Sequence, residues 1–341
     1  MSAASFDGWS PVRVFRDPDD GWIVEWCCLR EERFSDPFFA QTIDRALWRP
    51  FNRAFRRRTR LEALGEALGG ANARRPAGLI FHMSRCGSTL VAQMLAALPG
   101  SVVVSEAEPV DDVLGAHRRD PAVADEWRAE RLRWIVTALG NSVSGDPRRF
   151  VLKMDSWHVL DLPVIRRAFP GVPSIMVYRD PVEVLVSHER TPGWMMVPIH
   201  AERLLGLTVD EAVTLPHEDY RARILERFLG AMLRDDDPAC RLVNYAELPS
   251  AAMESIPLWF GIDLGSHDRR MMSEAARRDA KEPYQQHTPD SAEKQRRAGA
   301  AIRTAAAVRL LPLYQALEAR RQRQRPVPLS VYPQNPEMTI P

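Results

Sequence analysis

The chain has 341 residues, 45% hydrophobic and 27% charged, with a net charge of +1. That balance suits one large or two smaller α/β units and excludes a bulk-charge nucleic-acid binder or a polybasic membrane binder. No run approaches the roughly 18 continuous apolar residues of a membrane span.

Residues 1–75 read as an N-terminal extension or small subdomain. "WIVEWCCL" predicts a strand, and "SDPFFAQTIDRAL" predicts a helix starting at Ser35 or Asp36 ahead of Pro37. "RAFRRRTRLEALGEALGG" predicts an arginine-rich helix closing on Gly69-Gly70, and "ANARRPAG" a linker. From residue 76 to 325, short apolar runs alternate with helical spacing. "GLIFHM", "SVVV", "FVLKM", "SIMVY" and "CRLVNY" lack strict alternation, as strands buried on both faces do. Leu90, Val91, Met94, Leu95 and Leu98 share one helical face before Pro99-Gly100. "ADEWRAERLRWIVTALG" predicts a helix with Trp127, Leu132, Ile135 and Leu139 inward. The expectation is a parallel central sheet of about five strands in a three-layer α/β/α arrangement, with sites at the strands' C-terminal ends. Residues 326–341, "PVPLSVYPQNPEMTIP", read as a proline-rich tail.

Four cysteines, Cys27, Cys28, Cys86 and Cys240, fit no zinc spacing and suggest reduced thiols in a cytoplasmic protein. The first residues, "MSAASFDGWSPVRVF", lack the order of a secretory signal. The basic residues are nearly all arginine, and Lys153, Lys281 and Lys294 are the only lysines.

"LIFHMSRCGSTL" (79–90) has the form of a strand that turns at once into a helix. A helix N-terminus offers unpaired N–H groups and a positive dipole end to an anion. Gly87 allows close approach of the backbone, Ser88 and Thr89 add hydroxyls, and Arg85 can clamp a phosphate or sulfate oxygen. The nucleotide triphosphatase loop G-x-x-x-x-G-K-[ST] is not matched, since His82 stands at its first glycine and Ser88 at its lysine. A plain strand-to-helix turn capped by serine accounts for the stretch equally well when it is taken alone.

"SRCGSTLVAQMLAALPG" resembles the 5′-phosphosulfate loop of sulfotransferases that use 3′-phosphoadenosine-5′-phosphosulfate (PAPS), with Cys86 in place of the usual serine. "SIMVYRDPVEVLVSHER" resembles that family's 3′-phosphate site, a strand-end arginine (Arg179) followed eight residues later by a serine (Ser187). Asp180, Pro181 and Glu183 there give a helix start of the Asp-x-x-Glu kind. "CRLVNYAELP" resembles a third family stretch, with Ala246 and Glu247 replacing its middle pair. The resemblance spans about residues 77–250 and leaves residues 1–75 outside.

The resemblance implies a sulfuryl transfer from PAPS to a hydroxyl or amine by in-line displacement, without a metal. Arg85, Cys86, Gly87, Ser88 and Thr89 would hold the 5′ end, and Arg179 and Ser187 the 3′-phosphate. The base would be Glu106, by its distance of 21 residues from Arg85 as in tyrosylprotein sulfotransferases, or Glu108, by the proline that follows it as in heparan-type enzymes. Lys153 matches the family lysine at the leaving oxygen, while Asp155 replaces the histidine base of the small-molecule enzymes. His158 suggests a structural or surface histidine. The basic stretch "RRDAKEPYQQHTPDSAEKQRR" offers Lys281 to the nucleotide, and Trp194, Met195 and Met196 fit an acceptor pocket or the core equally. The acceptor could be a small molecule, carbohydrate, lipid or peptide. A P-loop phosphotransferase or nucleotide kinase, and a non-catalytic binding module, remain the alternatives.

Overall fold

The computed structural model describes residues 6–30, 32–68, 74–143, 147–281, 284–286 and 288–324. The proline-rich stretch 326–341 and the Gly69-Gly70 helix end lie outside them. Among the described residues no helix is long and apolar enough to cross a membrane.

Eight strands form two sheets. β1 (Trp9–Asp17), β2 (Gly21–Cys28) and β3 (Arg57–Arg60) make an antiparallel sheet in the order β1-β2-β3. β4 (Gly78–His82), β5 (Val102–Ser105), β6 (Phe150–Lys153), β7 (Ser174–Tyr178) and β8 (Cys240–Asn244) make the central sheet, all parallel, in the order β5-β6-β4-β7-β8. The fold is a three-layer α/β/α arrangement with a P-loop-like strand order, and the five expected runs are its five strands. β4 to β7 are buried along their whole length, which explains why their sequences are continuous apolar runs rather than alternating ones.

Chain direction leaves β4 for one side of the sheet (β5, β6) and then for the other (β7, β8). The loops after β4 and β7 therefore open into one crevice at the carboxyl ends of the strands, where α/β folds bind ligands.

The N-terminal region differs from its expected form at both ends. β1 was not anticipated, because Pro11, Arg13, Arg16 and Asp17 interrupt its pattern; Asp17 closes the turn to β2 by accepting from the Asp19 and Asp20 amides (3.0 and 3.1 Å). The expected arginine-rich helix is instead β3 followed by the helix Leu61–Leu68. Cross-strand partners decide this. Thr59 accepts from the Trp26 indole (2.9 Å), Arg58 pairs with Glu25 (2.7 Å), and the Arg57 guanidinium lies over the rings of Phe6 and Trp9 (4.6 and 5.1 Å). The helix expected at Ser35 or Asp36 runs from Phe39 to Leu47, and Asp36 instead accepts from Thr42 and Arg45 (2.6 and 2.7 Å).

The small sheet docks on the main body by polar pins and aromatic contact. Asp112 accepts from the Val14 amide (2.8 Å), Arg13 (3.2 Å) and Arg119 (2.7 Å), and Trp22 packs on Trp127 at 5.0 Å. Val14, Val24 and Leu61 belong to the same hydrophobic core as Ile80, Leu132 and Ile135.

Candidate functional site

The loop after β4 is built by backbone conformation. Ser84, Arg85 and Gly87 have φ of 78°, 51° and 90°, and the helix Ser88–Ala96 follows immediately. Left-handed residues ahead of a helix turn successive N–H groups towards one point, an anion-binding concavity. At Gly87 a Cβ would come within 2.8 Å of Tyr245 and Leu248, so only glycine fits. The Cys86 side chain takes no part in the concavity. It is buried, donates to the Val177 carbonyl (3.0 Å), and burial pushes its thiol up to about 11. Only the backbone of Cys86 faces the cleft. Arg85 donates to the Thr191 carbonyl (2.7 Å), and among the described residues it has no carboxylate partner.

The β7 end is organised differently. Asp180 caps the helix Pro181–Arg190, accepting from the Val182 and Glu183 amides (2.9 and 3.3 Å). Glu183 does not close a reciprocal capping box; its carboxylate accepts from Arg179 (2.6 Å). Arg179, 4% exposed, also donates to Asp290 (2.6 Å) and Ser291 (3.1 Å), and its guanidinium lies 3.8 Å from the Tyr245 ring centroid. Lys294 pairs with the other oxygen of Asp290 (2.7 Å). Asp290 and Lys294 come from the basic C-terminal stretch around the helix Ser291–Arg297.

Both arginines line one cleft of about 470 Å³, together with Gly87, Ser88, Thr89, Ser187, Tyr245 and Lys281. Glu106, with φ 56°, also lines it, following β5 on the side of β4 away from β7. Its amide donates to the Lys153 carbonyl (2.9 Å), because Ser105 pairs with Lys153 across the sheet. Its carboxylate pairs with the Lys153 ammonium and lies 3.4 Å from His82 Nε2. Burial pushes the carboxyl up, but Lys153 and His82 outweigh it and hold it well below the usual range. His82 Nδ1 accepts from the Ser84 amide (3.1 Å), so Nε2 carries the proton and donates to the Met154 carbonyl (3.0 Å). Burial, then Lys153, keep this imidazole neutral. Lys281 faces Arg85 and Lys153, and burial together with those charges lowers it to about 8. Lys281 and Lys294 thus line this cleft, and Lys153 is buried behind it on Glu106.

A second cavity of about 590 Å³ adjoins the first and shares Phe38, Glu106, Trp157 and Trp194 with it. Glu108, the first residue of the helix Glu108–Leu114, faces this second cavity only. Asp155 lines it too, and burial raises its carboxyl to about 7. His158 is wholly buried between Asp111 (3.0 Å) and Asp155 (3.7 Å), not at the surface, and the paired acids keep it charged against burial. Trp194 is 55% exposed and reaches both cavities, Met195 reaches the first, and Met196 packs in the core.

His82, Phe38, Trp157, Tyr245, Asp290 and Lys294 were not singled out from the sequence. The scarcity of lysine was the one signal that pointed at Lys294. Phe38 comes from the N-terminal region, so that region contributes directly to the cleft wall.

No family model matches the chain, and no curated protein matches it. Solved structures do. The sulfotransferase domain from the curacin biosynthetic pathway is 13% identical, covering 68% of this chain and 96% of that one, with a TM-score of 0.43. STF9, a sulfotransferase from Mycobacterium avium, is 16% identical over 70% of this chain and 76% of its own, with a TM-score of 0.41. The sulfotransferase domain from the Synechococcus PCC 7002 olefin synthase is 15% identical over 72% and 94%, with a TM-score of 0.39. The chain is thus similar, at low identity, to solved sulfotransferases.

Proposed function

We propose that this chain is a sulfotransferase that takes its sulfuryl group from PAPS. The observation that carries the reading is the shared cleft: an N–H concavity with Arg85, a buried Arg179 that lines the same cleft as Ser187, and the Glu106 carboxylate, paired with Lys153, on the β5 side of the concavity. Two separated anion cradles joined by one cleft fit a nucleotide with a phosphosulfate at its 5′ end and a phosphate at its 3′ position. Gly87 supports the fit by its φ of 90°, which shapes the loop, while its missing Cβ makes room for Tyr245 and Leu248.

The nucleotide supplies the sulfuryl group and a phosphate leaving group. Arg85 and the loop amides hold the 5′ end, and Arg179, Ser187 and Lys294 hold the 3′-phosphate. Glu106 accepts the proton of the acceptor hydroxyl or amine as its oxygen or nitrogen bonds to sulfur. Lys153 donates to the bridging oxygen as the bond between sulfur and that oxygen breaks. The two roles are coupled. While Lys153 grips Glu106, the carboxylate is ionised but weakly basic. When Lys153 turns to the leaving oxygen, Glu106 loses its strongest stabilising charge and becomes a better base. His82 Nε2, which donates to the Met154 carbonyl, flanks the carboxylate at 3.4 Å.

Calorimetric titration with 3′-phosphoadenosine-5′-phosphate tests the reading. Wild-type protein is expected to bind it in preference to ATP with magnesium, and Arg179→Ala to weaken it roughly tenfold or more. A preference for ATP–magnesium would instead favour a phosphotransferase, and equal binding by wild type and Arg179→Ala would remove the 3′ assignment.

A further inference from the structure

We propose that the second cavity selects an acceptor carrying an anionic group, a carboxylate in the first instance, docked on Arg118, with its apolar part against Phe38, Trp157 and Trp194 and its nucleophile at Glu106. The proposal rests on the reading of Glu106 as the base and adds the class of substrate.

The charges around this cavity are mostly spent. Asp111 accepts from Trp157 (2.7 Å), His158 (3.0 Å) and Arg203 (3.1 Å). Asp112 is taken by Arg13, Arg119 and the Val14 amide. Arg118 lines the same cavity, and among the described residues its guanidinium makes no hydrogen bond and no ion pair. The side chain is exposed, and its charged neighbours are of both signs: Arg203 and Arg119, and the carboxylates Asp111 and Asp161, which are already paired with Arg203 and Arg128. A guanidinium with no partner of its own is available to an incoming anion, at a strength that its exposure moderates. Glu108 does not serve it. That carboxyl stands towards Arg13, Asp112 and Asp44, at the other end of the cavity.

The Arg118 guanidinium lies against the Gly115 backbone, where an added Cβ would collide with it. The glycine therefore does not serve a turn of positive φ, since its φ is −86°; it makes room for the side chain. The aromatic wall next to it gives a carboxylate-bearing acceptor an apolar surface on the way to Glu106.

The test is a calorimetric titration of full-length protein, saturated with 3′-phosphoadenosine-5′-phosphate, with 3-phenylpropanoate and with its neutral amide. The carboxylate is expected to bind roughly tenfold tighter than the amide. Arg118→Gln should erase that preference. Gly115→Ala, which keeps the charge but moves it, should reduce it. Equal binding of the two probes, no binding of either at millimolar concentration, or a preference unchanged in Arg118→Gln would overturn the proposal. Nucleotide affinity is read separately in the same experiment. Its absence in wild type would defeat the sulfotransferase reading without touching the carboxylate preference.

Discussion

The two anion cradles of this cleft are made of different materials. The one after β4 is mostly backbone: three residues of positive φ, a helix start, and one arginine whose side chain, among the described residues, donates to a carbonyl. The one after β7 is made of side chains, and its arginine is already gripped by Glu183 and Asp290 and stacked on Tyr245. A backbone cradle is ready for an anion at no rearrangement. A side-chain cradle filled by the chain's own carboxylate must release that group first. Asp290, held by Arg179 and Lys294, occupies the arginine that the proposed function assigns to the 3′-phosphate.

The contrast orders the expected effects. The largest falls beside the backbone cradle. Glu106→Gln should lower kcat by about 10²- to 10⁴-fold with little change in nucleotide affinity; steady-state assays with radiolabelled PAPS would show it, and near-normal turnover would move the base to Glu108 or Asp155. Next comes the open cradle. Arg85→Ala should weaken PAPS binding by roughly 10- to 100-fold, the loss of one or two charge-assisted bonds. An unchanged dissociation constant would mean the loop is only a turn.

The filled cradle should respond with the opposite sign. Asp290→Asn removes the competing charge but keeps a hydrogen-bonding group, so 3′-phosphoadenosine-5′-phosphate should bind several-fold tighter, by roughly 1 kcal/mol or less. Weaker binding would show that Asp290 supports the site rather than occupies it. The smallest effect concerns pH. Lys281 is charged below about 8 and neutral above it, so donor affinity should decline as pH rises through that value. Lys281→Met should flatten this decline, and an identical pH profile in both proteins would take Lys281 out of the donor site.

Much of the main sheet was legible because burial on both faces leaves a strong mark. Five short apolar runs ending in Gly, Arg, Lys or acidic residues could be little else than parallel strands with sites at their ends. The N-terminal sheet was only half legible. β2 reads as a strand from its own residues, while β1 carries charges on its outer face, and β3, "RRTR", has no apolar residue at all. Its strand form depends on Trp26, Glu25 and the aromatic rings beneath it, which lie elsewhere in the chain.

The same division holds at the site. Local chemistry announced Arg85, Gly87, Arg179, Glu106 and Lys153, because strand ends with unusual residue types are visible in one dimension. It also misplaced the role of Cys86, whose neighbours suggest a loop ligand but whose side chain turns inward to the Val177 carbonyl. His82 appeared only as a failed triphosphatase glycine, and its position between Ser84, Met154 and Glu106 follows from the pairing of β4 with β6.

The sequence by itself determined the class of fold and the two strand-end motifs, because hydrophobic periodicity and helix-start chemistry are local properties of the chain. Only the tertiary structure decided that the motifs face one cleft, that Lys153 is bound to Glu106, and that Asp290 and Phe38 close its walls. Those facts depend on strand order and on contacts between segments more than a hundred residues apart, such as Arg179 with Asp290, and no local pattern encodes such a distance.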